Sequence, residues 1–340
     1  MKKIIVLFSI VIVACISCNK NNNTNSDNAI VISDTAIYSI KIKCTENIHW
    51  SDYFYSNLET SKHKYFISSL FEGIKAGSTN IYDYKTWDKI SLENAKKIGT
   101  TFDTVEMPDS INPDKMNLVV VENPLDIEKI SSMIFKEVWT FNTKTKAITK
   151  EIISFCPSID VFFRNPSTDE LEVKAQQPLF WVKNNNKCGK ESKEIAENIV
   201  TSVCPTSELA INKLPMNIIK AISKNAFEQA AKDTNNIYNS LTLEEKLSYT
   251  ELKERLVEEN SITTVSQLDP SDESTTVEKR NITPENIDFL SFSEQWTYDA
   301  INNCLCKKIN SIGFGYSVYY TNEMGEKALK GYKILFVLKM

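Results

Sequence analysis

The chain has 340 residues, 42% of them apolar and 10% aromatic, with a formal net charge of −5. That composition is globular and large enough for two ordinary cores, and its acidic balance excludes the basic footprint of a nucleic-acid binder. With only eight glycines and two histidines, and no G-x-S-x-G, H-E-x-x-H or phosphate-cradling glycine loop, an enzyme is the least supported class, and neither cofactor nor metal is expected.

Met1-Lys2-Lys3 precedes an apolar run from Ile4 to Ala14, a charged start and a hydrophobic core too short to span a bilayer, which reads as a secretory leader. Cysteines follow the run instead of a small-residue cleavage site, and this resembles a bacterial lipobox. Acylation of Cys18 or Cys15 is expected, with residues 1–18 as the leader and the outer membrane as the first partner. Residues 19–28, rich in Asn and without an apolar side chain, read as a disordered tether. No later run is long enough for a membrane span.

Alternation around Ile37–Cys44 suggests a strand. From Ser61 to Ala76, Phe66, Ile67, Leu70, Phe71 and Ile74 recur at spacings of three and four before Gly77, the pattern of an amphipathic helix. A shorter helix is expected from Ser91, a loop over 100–117 because of Pro108 and Pro113, and a short strand at Leu118–Val121. A meander follows: Lys136–Phe141, then Ala147–Phe155 stopped by Cys156-Pro157, then Pro178–Val182. Further on, Ile195, Ile199 and Val203 suggest a helix over 191–203, and Asn217–Lys232 suggests another. Thr242-Leu243-Glu244-Glu245 reads as a capping box opening a third helix, to about Glu259. Residues 260–283 are polar and read as a solvated linker. The last meander is Phe292–Tyr298, Leu305–Phe314 or beyond, and Tyr332–Leu338.

These elements are written twice. Glu137-Val138-Trp139-Thr140-Phe141 returns as Glu294-Gln295-Trp296-Thr297-Tyr298, and Phe135, Lys150, Ile152 and Ser154 return 157 positions later as Phe292, Lys307, Ile309 and Ser311. Asn80-Ile81-Tyr82 returns at 156 as Asn236-Ile237-Tyr238. The expectation is an α+β fold of two tandem repeats, 29–187 and 188–340, each an amphipathic-helix front followed by an antiparallel β-meander. For Trp139, Phe141, Trp181, Trp296 and Tyr298 the simplest role is core packing; ligand stacking by Trp139 and Trp296 is the alternative. Glu137 and Glu294 read as strand-edge ion pairs, and His49 and His63 as surface residues.

Besides Cys15 and Cys18 there are six cysteines, and six allow fifteen pairings. Cys188 and Cys204 bracket the connector between the repeats, so a bridge there would close a short loop worth about 3 kcal/mol. Cys304-x-Cys306 sets two thiols on one strand face, half a metal site with no Cys or His near it in sequence; free thiols, or one bridge to a distant cysteine, are favoured.

The stretches Glu137-Val138-Trp139-Thr140-Phe141-Asn142, Lys150 to Pro157 and Gln177-Pro178-Leu179-Phe180-Trp181-Val182 resemble the GldN family of gliding-motility proteins, also called PorN. The helix before Gly77-Ser78-Thr79-Asn80-Ile81-Tyr82 is similar too. The resemblance covers about 50–183, with a weaker echo in 216–339. It implies a non-enzymatic structural subunit of the type IX secretion and gliding ring, partnered by a ring lipoprotein of the GldK/PorK type. The periplasmic face of the outer membrane is expected, since no acidic cluster like that of surface-exported lipoproteins follows Cys15 or Cys18. This chain departs from the family in its own lipid anchor and in Asn184-Asn185-Asn186 after Val182. The alternative is a surface lipoprotein binding a carbohydrate, peptide or host ligand.

Overall fold

The computed structural model describes residues 29–42, 58–112, 114–142, 144–145, 147–169, 171–185, 188–203, 216–265, 273–321 and 327–340. The leader, the tether at 19–28, and Cys15, Cys18, Cys44, His49 and Cys204 lie outside these residues.

Two antiparallel sheets carry the fold. In the first, β1 (Ala29–Lys41) pairs with β5 (Ile130–Asn142), β5 with β6 (Ile148–Arg164), β6 with β8 (Trp181–Lys183) and β8 with the short β2 (Ile81–Tyr82). The far end of β6 also takes β7 (Leu171–Pro178), so β7 and β8 run along β6 as one interrupted strand. In the second, β9 (Lys193–Val203) pairs with β13 (Phe289–Asp299), then come β14 (Cys304–Thr321), β15 (Lys327–Lys339) and β10 (Ile237–Tyr238). Irregularities fall at matching positions. The β5–β6 ladder shifts register between Lys136 and Glu137, and the β13–β14 ladder between Ser293 and Glu294. Ile81 faces Val182 as Ile237 faces Leu338.

On β5, Met133, Phe135, Glu137, Trp139 and Phe141 alternate inward, and on β13 Leu290, Phe292, Glu294, Trp296 and Tyr298 do the same; all ten are buried. Period-two alternation places each set on one face, and the two faces share one apolar cluster. Helix α1 (Thr60–Lys75) seats Phe66 against Tyr298 at 4.8 Å between ring centres and Phe71 against Phe180 at 5.6 Å. Helix α3 (Met216–Lys232) sets Phe227 on Phe336 at 5.2 Å. Two hairpins belong to neither sheet: β3 (Thr101–Pro108) with β4 (Met116–Asn123), and β11 (Val257–Val265) with β12 (Glu273–Asn281). A one-turn α2 (Leu92–Ala95) is capped by Ser91.

Several expectations need correction. The first strand begins at Ala29, because irregularities at Val31/Ser33 and Ser33/Ala36 break its alternation. Residues 100–117 are not a loop: Pro108 ends β3, where its missing N–H costs no ladder bond. Nor does Pro157 stop β6, since its carbonyl accepts from the Leu179 N–H at 3.0 Å and the strand runs on to Arg164. Residues 193–203 are a strand, not a helix. A spacing of four, Ile195 to Ile199, satisfies a period of two as well as 3.6, and register shifts opposite Trp296 blurred the alternation. The capping box is Ser248 with Glu251, opening α4 (Tyr249–Arg255), while Leu243 sits in a turn at φ 61°. Most of the polar 260–283 stretch is the β11–β12 ladder.

Candidate functional site

Strand alternation drives two glutamates and two lysines into the space between the sheets, where all four side chains are fully enclosed. The pairing crosses over. Lys150, on β6 of the first sheet, donates to Glu294 of the second at 2.5 Å, and Lys307, on β14, donates to Glu137 of the first at 2.7 Å. Each carboxylate also receives a hydroxyl from the first strand of its own half: Thr201 of β9 donates to Glu294 at 2.8 Å, and Tyr38 of β1 to Glu137 at 2.7 Å. Each receives the indole N–H two residues on as well, Trp139 to Glu137 at 2.7 Å and Trp296 to Glu294 at 3.0 Å.

The rings close the cluster reciprocally. Trp139 meets Phe292 edge-on at 5.6 Å, and Trp296 meets Phe135 edge-on at 5.0 Å. Lys150 lies 4.1 Å from the Trp139 ring centre and 3.8 Å from that of Phe292, while Lys307 lies 3.2 Å from Phe135 and 4.6 Å from Trp296. These are cation–π distances, and the ring faces replace part of the water that each ammonium loses.

Burial pushes the Glu294 carboxyl up, but Lys150, then Lys307 and the Trp296 indole, bring it below the ordinary carboxylate value. Burial pushes the Tyr38 phenol well above its usual value, and the Glu137 and Glu294 charges push it the same way. The Lys150 ammonium is lowered by burial, partly offset by the two glutamates. We read the cluster as two ion pairs of zero net charge. With every carboxylate oxygen paired, it avoids the several-kcal/mol penalty of a buried unpaired ion.

Such a site joins two surfaces, with all four charged side chains closed to solvent. Two clefts lie elsewhere, one beside Gly77, Lys89 and Leu92 and the other beside Thr145, Lys232 and Met340. Glu137 and Glu294 therefore depart from the expected strand-edge pairs. His63 likewise is not at the surface; it is buried, with Nε2 2.9 Å from the Ile130 carbonyl. Tyr38 and Thr201 had no signal in the sequence. Lys150 and Lys307 had one, a lysine at an inward position between Ile148 and Ile152 and again before Ile309.

Trp139, Phe141, Trp181, Trp296 and Tyr298 are all buried. Trp181 stacks with two rings, Tyr84 at 5.6 Å and 16° and Trp87 at 5.0 Å and 12°. Its indole N–H donates to the Tyr84 carbonyl at 3.2 Å. The expected Cys188–Cys204 bridge has its second cysteine outside the described residues; Cys188 itself is described. Its sulfur lies with those of Cys304 and Cys306, all within 4.8 Å of one another. These residues are 116 and 118 positions away, a proximity that only the fold creates. Cys156 is a buried free thiol, pushed up to about 12 by burial.

No helix among the described residues is long and apolar enough to cross a membrane. No curated protein matches the chain. The family model of the gliding motility associated protein GldN matches residues 27–202, from the segment leading into β1 through nearly the whole of β9. That match spans just over half of the chain, and the chain belongs to the GldN family.

Proposed function

We propose that this chain is a non-enzymatic structural subunit of the gliding-motility and type IX secretion ring, built from two GldN-type units in tandem that pack as an internal pseudo-dimer. It is held at the periplasmic face of the outer membrane by a lipid on Cys18 or Cys15. The family match is the observation that carries the reading. The crossed Lys150–Glu294 and Lys307–Glu137 pairs support the tandem part, because a self-complementary surface in which residue i meets j and j meets i is what two copies of one unit make. A buried charge cluster closed to solvent fits a load-bearing subunit better than a catalyst.

The β3–β4 hairpin supports the subunit part. One of its faces shows Phe102, Met116, Leu118 and Val120, between 58% and 72% exposed. A two-stranded ladder is marginal alone, and although Thr104, Glu106 and Glu122 share that face, a group of large apolar side chains exposed on it marks an interaction site. The partner is the ring lipoprotein of the same machine. The test is affinity purification of a chromosomally tagged chain from gently solubilised envelopes. Near-stoichiometric recovery of that lipoprotein is expected, falling at least about tenfold when Phe102 and Leu118 are changed to Ser while the melting temperature holds. Recovery of the chain alone, with degradation by protease added to whole cells, overturns the ring reading in favour of a surface ligand-binding lipoprotein.

A further inference from the structure

Three sulfurs meet where the chain crosses from the first sheet to the second. Cys188 lies in the segment between β8 and β9, and Cys304 and Cys306 open β14. Cys304 is buried, whereas Cys188 and Cys306 are half-buried. The Cα of Cys188 is 5.2 Å from that of Cys304 and 6.7 Å from that of Cys306. Both separations fall inside the roughly 4.4–6.8 Å that a disulfide spans. Cys304 and Cys306, two apart on one strand, hold their sulfurs 3.6 Å from each other. One sulfur forms one disulfide, so any bridge at Cys188 leaves a thiol beside it.

Hydrogen bonds also hold the crossover against β14 and the β13–β14 turn. The Asn184 amide donates to the Leu305 carbonyl at 3.0 Å and accepts from the Leu305 N–H at 2.7 Å, so it grips the residue between the two cysteines. Gly189 N–H donates to Asp299 at 2.7 Å, and the Asn185 amide donates to the Asn302 carbonyl at 2.5 Å. These contacts keep Cys188 within disulfide reach of both partners. A structural zinc site takes four ligands, and among the described residues only the three thiols gather here. Asp299, the nearby carboxylate, already accepts from Gly189, Ile301 and Asn302.

We infer that Cys188, Cys304 and Cys306 form a migrating disulfide that ties the crossover to β14 in either of two isomers. A small-molecule disulfide such as oxidised glutathione supplies the oxidation: a mixed disulfide forms at Cys188, the Cys304 thiolate attacks the Cys188 sulfur, and two glutathione thiols leave carrying the two electrons. The bond then moves without net oxidation. The Cys306 thiolate, having lost its proton to solvent, attacks the Cys188 sulfur; the bond to Cys304 breaks, and its electron pair leaves on Cys304, which takes up a proton. This goes beyond the subunit reading and depends on the envelope only for an oxidant in the cell.

The test equilibrates the purified full-length chain with reduced and oxidised glutathione, then quenches with acid, alkylates, and maps the peptides by mass without reduction. Both the 188–304 and 188–306 bridges are expected, each above about a tenth of the bridged population, with the third thiol alkylated. Cys304→Ser and Cys306→Ser should each keep the remaining bridge, and Cys188→Ser should lose both. The wild-type map decides by itself if a variant misfolds. A single isomer, three reduced thiols at every glutathione ratio, or one retained metal ion per chain with alkylation blocked would each overturn the inference. A chain that exchanges in vitro but leaves the envelope fully reduced would count against the oxidising location instead.

Discussion

At the scale of single residues, the crossed charge cluster decides more than any other group. Glu294 accepts from Lys150, Thr201 and Trp296, so removing the lysine alone strands an enclosed carboxylate with the more distant Lys307 at 3.9 Å. Breaking a buried pair from one side typically costs about 3–5 kcal/mol, whereas replacing both members with groups of similar volume is often close to neutral. Lys150→Met should therefore destabilise by about that much in urea unfolding, and Lys150→Met with Glu294→Gln should recover more than half of it. An additive double variant would mean that the pair is not coupled. The cluster was half legible beforehand. Glu137, Glu294, Lys150 and Lys307 stood out as repeated positions, and their inward parity lay beside Trp139 and Ile152. What the sequence could not say is that each lysine faces the glutamate of the other half, because alternation assigns a face and not the surface opposite it.

Among the elements, the meanders were readable because one apolar face of each was buried. Elements outside that logic were missed. β11 and β12 pair only with each other and touch the second sheet at their base, where Tyr316 donates to Glu258; along most of the ladder nothing selects apolar alternation, and a run of Glu, Ser, Thr and Lys reads the same in a hairpin as in a linker. β9 was missed because its bulges displace the alternating signal. The β14–β15 pairing has a steric signature of its own. A Cβ added at Gly315 would lie 2.5 Å from the Lys333 carbonyl oxygen and 3.2 Å from the Ile334 Cα, at the register shift between Phe314 and Gly315. Backbone cannot swing aside as a side chain can, so Gly315→Ala should cost about 1–3 kcal/mol by overpacking. Chemical denaturation against wild type is the measurement, and a change below about 0.5 kcal/mol would show that the ladder yields there.

For the whole molecule, the two sheets share one apolar cluster and the charges at its centre, so neither half keeps its inner face without the other. Acid should reveal this. The Glu294 carboxyl, the Asp299 carboxyl held down first by the Asn302 amide, and the Glu251 carboxyl held down first by Ser248 all lie below their ordinary values. A carboxyl depressed in the folded state contributes stability that is present above the unfolded value, about pH 4, and is lost as pH falls through the folded one. Stability should hold from pH 7 to about 5 and decline below about 4. Tryptophan fluorescence and circular dichroism should follow the same curve, because Trp139 and Trp296 sit between the sheets; two separated transitions would mean that the halves unfold independently.

The crossover from β8 to β9 changes what that inner surface has to achieve. Two separate subunits meeting through desolvated ions would need enough affinity to find each other at cellular dilution, and the ions subtract from it. A short covalent connection makes the encounter intramolecular, at an effective concentration of order millimolar. The inner faces can then favour correct register over tight association. Cutting the crossover between Asn185 and Cys188 in a thiol-free variant should leave two fragments that stay together when concentrated and part on dilution.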